Sequence, residues 1–284
     1  YKIGYKSPYR HLDRLTRVYE YMGPAWYQRE IEIPAAWKGK RIFLYFERTH
    51  WLSSVYVGKE EVSKIDYISI PHNHELTQWL HPGKKELITF CIDNRYQYDT
   101  HKWDHAHSEF TQINWNGVLG EIKLVAVDPV YVDDMQVYPD IKNKSIKVKM
   151  TVRNCTEHTA SGKISFHVTG KDYRLQKEVP VTVTDSITYI EEEMFLGKDI
   201  HLWNEFHPNL YTLDCKLTSS VEGQSYAHEK STTFGMREVE AGEDHIILNG
   251  EPIHLRGTVE NAVFPKTGYA PVDDASWERV LRIL

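Results

Sequence analysis

Short segments of alternating apolar and polar residues recur along the first 233 residues, and they constrain the fold more than any other feature of the chain. The alternation is clear in Arg41–Arg48, Ser145–Val152, Lys163–Gly170 and Glu178–Thr184. A period of two residues places every second side chain on one face of a strand, so each segment predicts a strand with one buried face. Turn residues separate these segments without any long helical periodicity, which predicts a mainly β fold built from sandwiches.

The spacing of the strand segments predicts two β domains and the beginning of a third. Asp128-Pro129 closes the first group of segments. We therefore expect a domain at residues 1–130, whose size suits a jelly roll, and a domain at 131–234, whose size suits an immunoglobulin-like sandwich. The third domain occupies residues 235–284, after a link at Phe234-Gly235.

The C-terminal segment has a different pattern. Asn249-Gly250 lies between apolar runs, which is typical of a two-residue hairpin turn, and we expect the strand Ile253–Arg256 to follow it. After a long polar loop, Asp273 or Asp274 can cap a helix. The apolar face of that helix carries Trp277, Val280, Leu281 and Leu284. A strand, a long loop and an amphipathic helix form the first unit of a βα-repeating domain, and we expect the rest of that domain to lie beyond Leu284.

The composition argues against several kinds of partner. No apolar run approaches the roughly 18 residues that a membrane-spanning helix needs, so we expect a soluble protein without a membrane partner. The net charge of −6 and the lack of Lys/Arg clusters argue against nucleic acid as a partner. The chain begins at Tyr1 without Met. A removed secretory signal would explain this start, so we expect a secreted or periplasmic protein.

The three cysteines predict thiols rather than a disulfide. Cys155 and Cys215 both lie in the expected second domain, which invites an immunoglobulin-type bridge. The strand phase opposes that bridge, because Cys155 is out of phase with the inward-facing residues of Ser145–Val152, whereas Cys215 is in phase with a core. Cys91 has no obvious partner in the sequence.

Five motifs, in order along the chain, carry a resemblance to a known family. They are Gly23–Pro34, Trp115–Pro129, Leu202–Leu217, Phe234–Glu240 and Leu248–Gly257, the last reading LNGEPIHLRG. Together they resemble glycoside hydrolase family 2, the β-galactosidase, β-glucuronidase and β-mannosidase group. The resemblance spans roughly the whole chain, and its ordered motifs are more specific than any one of them alone.

The resemblance implies both an architecture and an activity. The architecture is a galactose-binding-like jelly roll, then an immunoglobulin-like sandwich, then the first strand and helix of a truncated (β/α)8 barrel. The activity is that of a retaining exo-β-glycosidase without a cofactor, acting on a β-linked glycoside or oligosaccharide. In this mechanism one Glu attacks the anomeric carbon and a second protonates the leaving oxygen, with the two carboxyls about 5–5.5 Å apart. In the family these glutamates follow the fourth and seventh barrel strands, so we expect neither within this chain.

The chain is therefore expected to be the non-catalytic N-terminal portion of such a glycoside hydrolase, inactive by itself. The alternative is a freestanding carbohydrate-binding or adhesive β-sandwich protein, which would explain the abundance of aromatic residues. That alternative does not explain the barrel-like segment at the C-terminus. A homo-oligomer is also open, because an exposed strand edge can pair with a second copy.

The segment Thr100–Gly117 concentrates candidate substrate-binding residues. Indole rings offer flat apolar faces, while carboxylate and amide groups hydrogen-bond to hydroxyls. On this basis we expect substrate contacts from Trp103, Asp104, Asn114 and Trp115. Two other interpretations stay open: a metal site formed by His105 and His107 with Asp104, which we do not predict, and an ordinary polar loop.

Arg256, Glu260 and Asn261 follow the expected first barrel strand and are further candidate substrate contacts, because catalytic groups of such barrels gather at the carboxyl ends of the strands. Arg256 could equally form a structural salt bridge. Relatives often carry Asn-Arg-His-Glu after this Arg-Gly pair, whereas Thr258–Asn261 reads TVEN here, and the departure weakens any choice of substrate.

Two further motifs are predicted to carry no chemistry. Trp203-Asn204-Glu205 resembles the Asn-Glu of a general acid/base, but its place in the second domain favours a solvated loop glutamate. His72–His74 is interpreted as a loop before an edge strand, without a function.

Overall fold

The computed structural model describes residues 5–6, 19–95, 115–255, 257, 271 and 273–283. These residues fold mainly as β-strands, as predicted. The chain divides into two compact units, one comprising Tyr1–Ala126 with Thr258–Leu284 and the other Val127–Gly257. Within the described ranges, no helix is both long and apolar enough to cross a membrane.

The first unit is built on two main sheets. Its strands are β1 (Tyr5–Lys6), β2 (Tyr19–Glu20), β3 (Pro24–Glu32), β4 (Arg41–His50), β5 (Leu52–Val57), β6 (Glu60–Asp66), β7 (His72–Glu75), β8 (Lys85–Asp93) and β9 (Gly117–Val127). The four-stranded sheet has the order β3-β8-β5-β6 and the three-stranded sheet the order β7-β4-β9, while β1 pairs with β2. Ile42, Leu44 and Phe46 alternate along β4 and are buried, as the pattern of that segment predicts.

The second unit has one core between two further sheets. Its strands are β10 (Val130–Asp140), β11 (Ser145–Asn154), β12 (Ala160–Thr169), β13 (Arg174–Val183), β14 (Ile187–Phe195), β15 (Tyr211–Val221) and β16 (Gln224–Phe234). A three-stranded sheet, β10-β11-β14, and a four-stranded sheet, β13-β12-β15-β16, both contribute to this core. Val148 on β11 and Phe166 on β12 are fully buried, which confirms the predicted strand phase.

The cysteines follow the same phase. Cys215 on β15 is buried with its Sγ 3.9 Å from the Sδ atom of Met150 on β11, whereas Cys155 is exposed. No disulfide joins them, because one side chain faces the core and the other faces solvent.

The predicted hairpin is confirmed, but its second strand is placed differently. β17 (Val239–Ala241), β18 (Ile246–Leu248) and β19 (Glu251–Ile253) form a small antiparallel sheet. Asn249 and Gly250 join β18 to β19 with φ values of 54° and 87°, as a type I′ turn requires. The expected strand Ile253–Arg256 is wrong, because a two-residue turn pairs Leu248 directly with Glu251 and starts the strand there.

The predicted C-terminal helix is also confirmed. α1 (Asp274–Ile283) begins after Asp273, whose Oδ1 accepts a hydrogen bond of 2.8 Å from the backbone N–H of Ser276. Asp273 is thus the N-cap of the two candidates, because its carboxylate satisfies a backbone donor that the first helical turn leaves open.

Candidate functional site

Most of the residues proposed for substrate binding lie outside the described residues. These are Trp103, Asp104, Asn114, Arg256, Glu260 and Asn261, and His105 and His107 of the alternative metal site lie there too. Their roles stay predictions. Trp115 is described, and it stands at one end of the segment that contains the candidates.

Trp115 is fixed by two side chains at the ends of β4 and β8. Its carbonyl oxygen accepts a hydrogen bond of 3.2 Å from the Nδ2 of Asn94 and lies 2.8 Å from the Nδ1 of His50. A carbonyl can only accept, so the Nδ1 of His50 carries a proton. The His50 ring is buried and its centroid is 4.9 Å from that of Trp115. The indole ring of Trp115 therefore packs against the buried imidazole of His50.

Asn94 and Asn116 both form hydrogen bonds to the turn around Gly23. The Oδ1 of Asn94 accepts from the N–H of Gly23 at 2.9 Å, and its Nδ2 donates to the carbonyl of Tyr21 at 2.9 Å. The Nδ2 of Asn116 donates to the carbonyl of Gly23 at 2.8 Å and to that of Ile92 at 3.2 Å. Two neutral amides thus fix the described residues Asn94 and Asn116 to the turn around Gly23. Sequence reasoning missed both residues.

Asp93 and Arg95 form a charge pair at the end of β8. The Nε of Arg95 lies 3.0 Å from each carboxylate oxygen of Asp93. Burial alone would raise the pKa of the Asp93 carboxyl, but the hydrogen bonds and charge of Arg95 outweigh burial and lower it. Asp93 is therefore ionised at neutral pH and is unsuited to be a general acid, which needs a raised pKa.

The described carboxyl groups with a resolved pKa shift all share its direction. Every carboxyl group among them with a resolved shift has a lowered pKa, held down by hydrogen bonds and positive neighbours. No group of three or more His, Cys, Asp or Glu side chains in the described ranges could hold a metal ion.

Glu205 is exposed, in agreement with its interpretation as a solvated loop glutamate. The Oδ1 of Asn204 accepts from the backbone N–H groups of Phe206 and His207, at 3.0 and 2.7 Å. This turn occupies the asparagine oxygen with the chain's own backbone.

The interpretation of His72–His74 as a loop is wrong. Both histidines lie on β7 and are fully buried, with their side chains on the same face as Leu76. Ser53 on β5 lies between them, with its Oγ 2.6 Å from the Nδ1 of His72 and 2.8 Å from the Nε2 of His74. The period-two spacing of His72, His74 and Leu76 was the signal that could have placed them inside.

The donors and acceptors in the hydrogen-bonded chain His72–Ser53–His74 can be assigned from its end at Tyr67. The Nε2 of His72 is 2.8 Å from the carbonyl of Tyr67, which can only accept, so Nε2 carries the proton. A neutral His72 then accepts from the Ser53 hydroxyl, which in turn accepts from the Nε2 of His74. The Nδ1 of His74 accepts from the hydroxyl of Ser63 at 2.8 Å. Burial lowers the pKa of both imidazoles, that of His74 to about 3. Both rings of this hydrogen-bonded chain are therefore neutral at pH 7.

Within the second unit, Trp203 contacts the residues that directly follow β16. The N–H of Trp203 donates to the carbonyl of Met236 at 2.9 Å, and the guanidinium of Arg237 lies 4.5 Å from the centroid of the Trp203 ring. A Cβ atom on Gly235 would approach the Trp203 side chain to 2.9 Å, so only glycine fits there. Segments that the sequence places on either side of a domain boundary are therefore in direct contact.

Comparison with known proteins shows a similarity between the second unit and one family. Residues 130–237 match the family described as "Glycosyl hydrolases family 2". The chain is similar to a β-galactosidase of Thermoanaerobacter pseudethanolicus, with 24% identity over 257 residues that cover 89% of the chain and 34% of that protein. It is also similar to a putative β-glucuronidase of Formosa agariphila, with 25% identity over 246 residues that cover 84% of the chain and 22% of that protein.

A solved structure supports the same fold. A β-glucuronidase of Bacteroides uniformis matches with a TM-score of 0.73 at 18% identity, covering 93% of the chain and 32% of that protein. At this identity the likeness shows the fold alone. The chain spans between 22% and 34% of the length of these three proteins.

Proposed function

The chain contains a segment of glycosyl hydrolases family 2, and from this premise we propose that it is the non-catalytic N-terminal portion of a retaining exo-β-glycosidase. The complete protein would degrade β-linked glycosides or oligosaccharides, while these 284 residues alone would hydrolyse none. The observation that carries the proposal is that 89% of the chain aligns with only 34% of a β-galactosidase. A secreted or periplasmic location belongs to the same proposal.

The sheet arrangement supports the finer architecture that we propose. Three-on-four strands around one core in the second unit are what an immunoglobulin-like sandwich has. The four-stranded and three-stranded sheets of the first unit suit a jelly roll. The hairpin at Asn249-Gly250 and the helix α1 would then begin a (β/α)8 barrel.

We assign catalysis and sugar binding to different parts of the complete protein. Retaining hydrolysis needs two carboxyls about 5–5.5 Å apart, one of them with a raised pKa. In the family that the motifs resemble, the two glutamates follow the fourth and seventh barrel strands, so we assign the catalytic pair to the remainder of the complete protein. The segment Thr100–Gly117 would contribute contacts to the sugar.

The second candidate function is a freestanding carbohydrate-binding or adhesive protein. The exposed aromatic residues of the first unit favour binding, with Trp26 59% and Tyr67 60% exposed. Both candidates expect sugar contacts, so only turnover separates them.

The deciding experiment extends the chain by the roughly 250 residues that a complete barrel needs, taken from its own reading frame. The extended protein is expected to hydrolyse aryl β-galactosides or β-glucuronides with retention, so proton NMR should show the β-anomer as the first product. A reading frame that ends at Leu284, or an extended, folded protein without turnover on aryl β-glycosides, would contradict the proposal and favour the binding protein.

A further inference from the structure

The outward face of the four-stranded sheet in the first unit is unusually aromatic. The strand register places Trp26, Cys91 and Ser54 in one row and Gln28, Thr89 and Tyr56 in another. The row between them carries Tyr27, Phe90 and Val55, and Val55 lies in the core, so the other two rows face away from it. Trp26 is 59% exposed, a large apolar area to leave in water on an edge strand.

Two rings from different strands meet across this face. The centroids of Trp26 on β3 and Tyr56 on β5 are 5.4 Å apart with an interplanar angle of 43°, although β8 lies between those strands. Cys91 and Ser54 belong to the same outward rows but are buried, at 8% and 9% exposure. The rings therefore form a raised aromatic surface above the middle of the sheet.

Hydrogen-bonding groups border the two rings. The Nε2 of Gln28 donates to the Oγ1 of Thr89 at 2.8 Å, and the Tyr56 hydroxyl donates to the Oε2 of Glu61 at 2.6 Å. A glutamine amide has two donors and one carbonyl acceptor, so a single bond to Thr89 leaves capacity for hydroxyl groups. The two internal bonds also hold the side chains in place, which reduces the entropy lost on binding.

The charges on this face are of both signs, with a small acidic excess. Lys85 lies 3.3 Å from Glu30 at one end, and Arg95 pairs with Asp93 at the other. By the strand registers, β6 adds Glu61, Lys64 and Asp66, and β3 adds Glu32 opposite Lys85. Such a surface does not select a strongly anionic or cationic partner.

We propose that this surface, the Trp26–Tyr56 face, binds a neutral β-linked glycan chain laid across the sheet. Its flat apolar rings match the C–H faces of β-linked pyranoses, and the adjacent amide, hydroxyl and carboxylate groups match their hydroxyls. An open sheet face accepts a chain rather than an isolated sugar, which would bury too little area. The β-linkage rests on the proposed function; the neutral, polymeric character rests on the face itself.

Affinity electrophoresis tests this inference with the 284-residue protein. Native gels would contain soluble β-1,4-galactan or mixed-linkage β-glucan, with polygalacturonate as the charged control polymer. Retardation is expected in at least one neutral polymer and not in polygalacturonate. Trp26→Ala and Tyr56→Ala should each weaken the apparent affinity about tenfold, which corresponds to about 1.4 kcal/mol.

Two variants serve as matched controls. Tyr189→Ala removes a ring that is 78% exposed on β14 of the other unit, and its retardation should equal that of the parent. Gln28→Ala keeps both rings and should weaken the retardation less than Trp26→Ala, and it decides the matter should Trp26→Ala fail to fold. Melting temperatures within about 3 °C of the parent would show intact folds.

Three outcomes would overturn the inference: no retardation of the parent in either neutral polymer, equal retardation of the parent and the alanine variants, or a dimer that dissociates in Trp26→Ala without any retardation. The last would mean that a second copy covers the face. The outcome is separable from the proposed function, because an extended protein should hydrolyse a small aryl glycoside equally well with and without Trp26→Ala.

Discussion

The side-chain amide of Asn249 donates a hydrogen bond of 2.9 Å to the backbone carbonyl of Trp203. Its Oδ1 accepts a second bond of 2.9 Å from the N–H of Glu238, while its backbone takes the positive φ that the type I′ turn needs. One residue thus forms the hairpin turn and fixes it to the Trp203 loop of the same unit. A barrel that begins with this hairpin would start from a defined position.

Asn249→Gly should separate these two roles, because glycine keeps the turn but removes both side-chain bonds. We expect the free energy of unfolding of the second unit to fall by about 1–3 kcal/mol, since the Trp203 carbonyl and the Glu238 N–H lose their partners. Urea unfolding followed by tryptophan fluorescence would measure this. Asn209→Gly is the control, since its Nδ2 makes a single exposed bond to Leu202, and it should cost clearly less.

The buried His72–Ser53–His74 chain predicts a loss of stability in mild acid. In the unfolded chain both histidines take up a proton near pH 6.5. In the folded protein His74 resists protonation down to about pH 3 because it is buried. Below pH 6.5 the unfolded state therefore binds more protons, and stability should fall by up to about 1.4 kcal/mol per pH unit for each resisting histidine.

His74→Gln should flatten this dependence. The difference in unfolding free energy between the parent and the variant, measured in urea from pH 7 to pH 4.5, should shrink as the pH falls. The same substitution at His207, which is exposed, should leave the slope of the parent unchanged. A parent and a His74→Gln variant with parallel pH profiles would show that the imidazole is not held neutral.

The candidate segment Thr100–Gly117 is predicted to contribute to substrate binding and little to the stability of the fold. In the extended protein, Trp103→Ala or Asn114→Ala should lower kcat/KM by up to about tenfold, the effect of losing one net hydrogen bond or ring contact. The melting temperature should stay nearly constant. Trp115→Ala should lower kcat/KM and also the melting temperature, because its ring packs on the buried His50. Parent-like kinetics for both Trp103→Ala and Asn114→Ala would leave the segment as an ordinary polar loop.

The cysteines offer a test of the strand phase. Cys155 is exposed, whereas Cys215 is buried and its burial raises the thiol pKa to about 12. Because the thiolate is the reactive form, iodoacetamide should label Cys155 within minutes in the native protein and Cys215 only after unfolding. Peptide mass spectrometry at successive times would measure both. Equal rates for the two, or a disulfide between them, would contradict the fold of the second unit.

Local patterns were sufficient wherever one strand or turn decided the outcome. The alternation along Ser145–Val152 placed Val148 inside and Cys155 outside, and the Asn249-Gly250 pair specified its turn, because both depend on neighbours in sequence. His72 and His74 were misplaced because a polar residue is expected outside unless its partners are known. Those partners, Ser53 and Ser63, come from other strands.

Features that depend on register between distant strands could not be predicted. Trp26 and Tyr56 meet only because β3 and β5 flank β8 in a particular register. The amides of Asn94 and Asn116 converge on Gly23 only in the folded protein. No spacing along the chain encodes either relationship.

The central claim is that these residues are the binding and structural part of a glycosidase whose catalytic carboxyls lie elsewhere in the complete protein. The most direct test is the hydrolysis of p-nitrophenyl β-galactoside and p-nitrophenyl β-glucuronide by the purified 284-residue protein. We predict release of p-nitrophenol no faster than in a protein-free blank at any substrate concentration. Saturable turnover that follows the protein through successive purification steps and disappears on unfolding would contradict the claim.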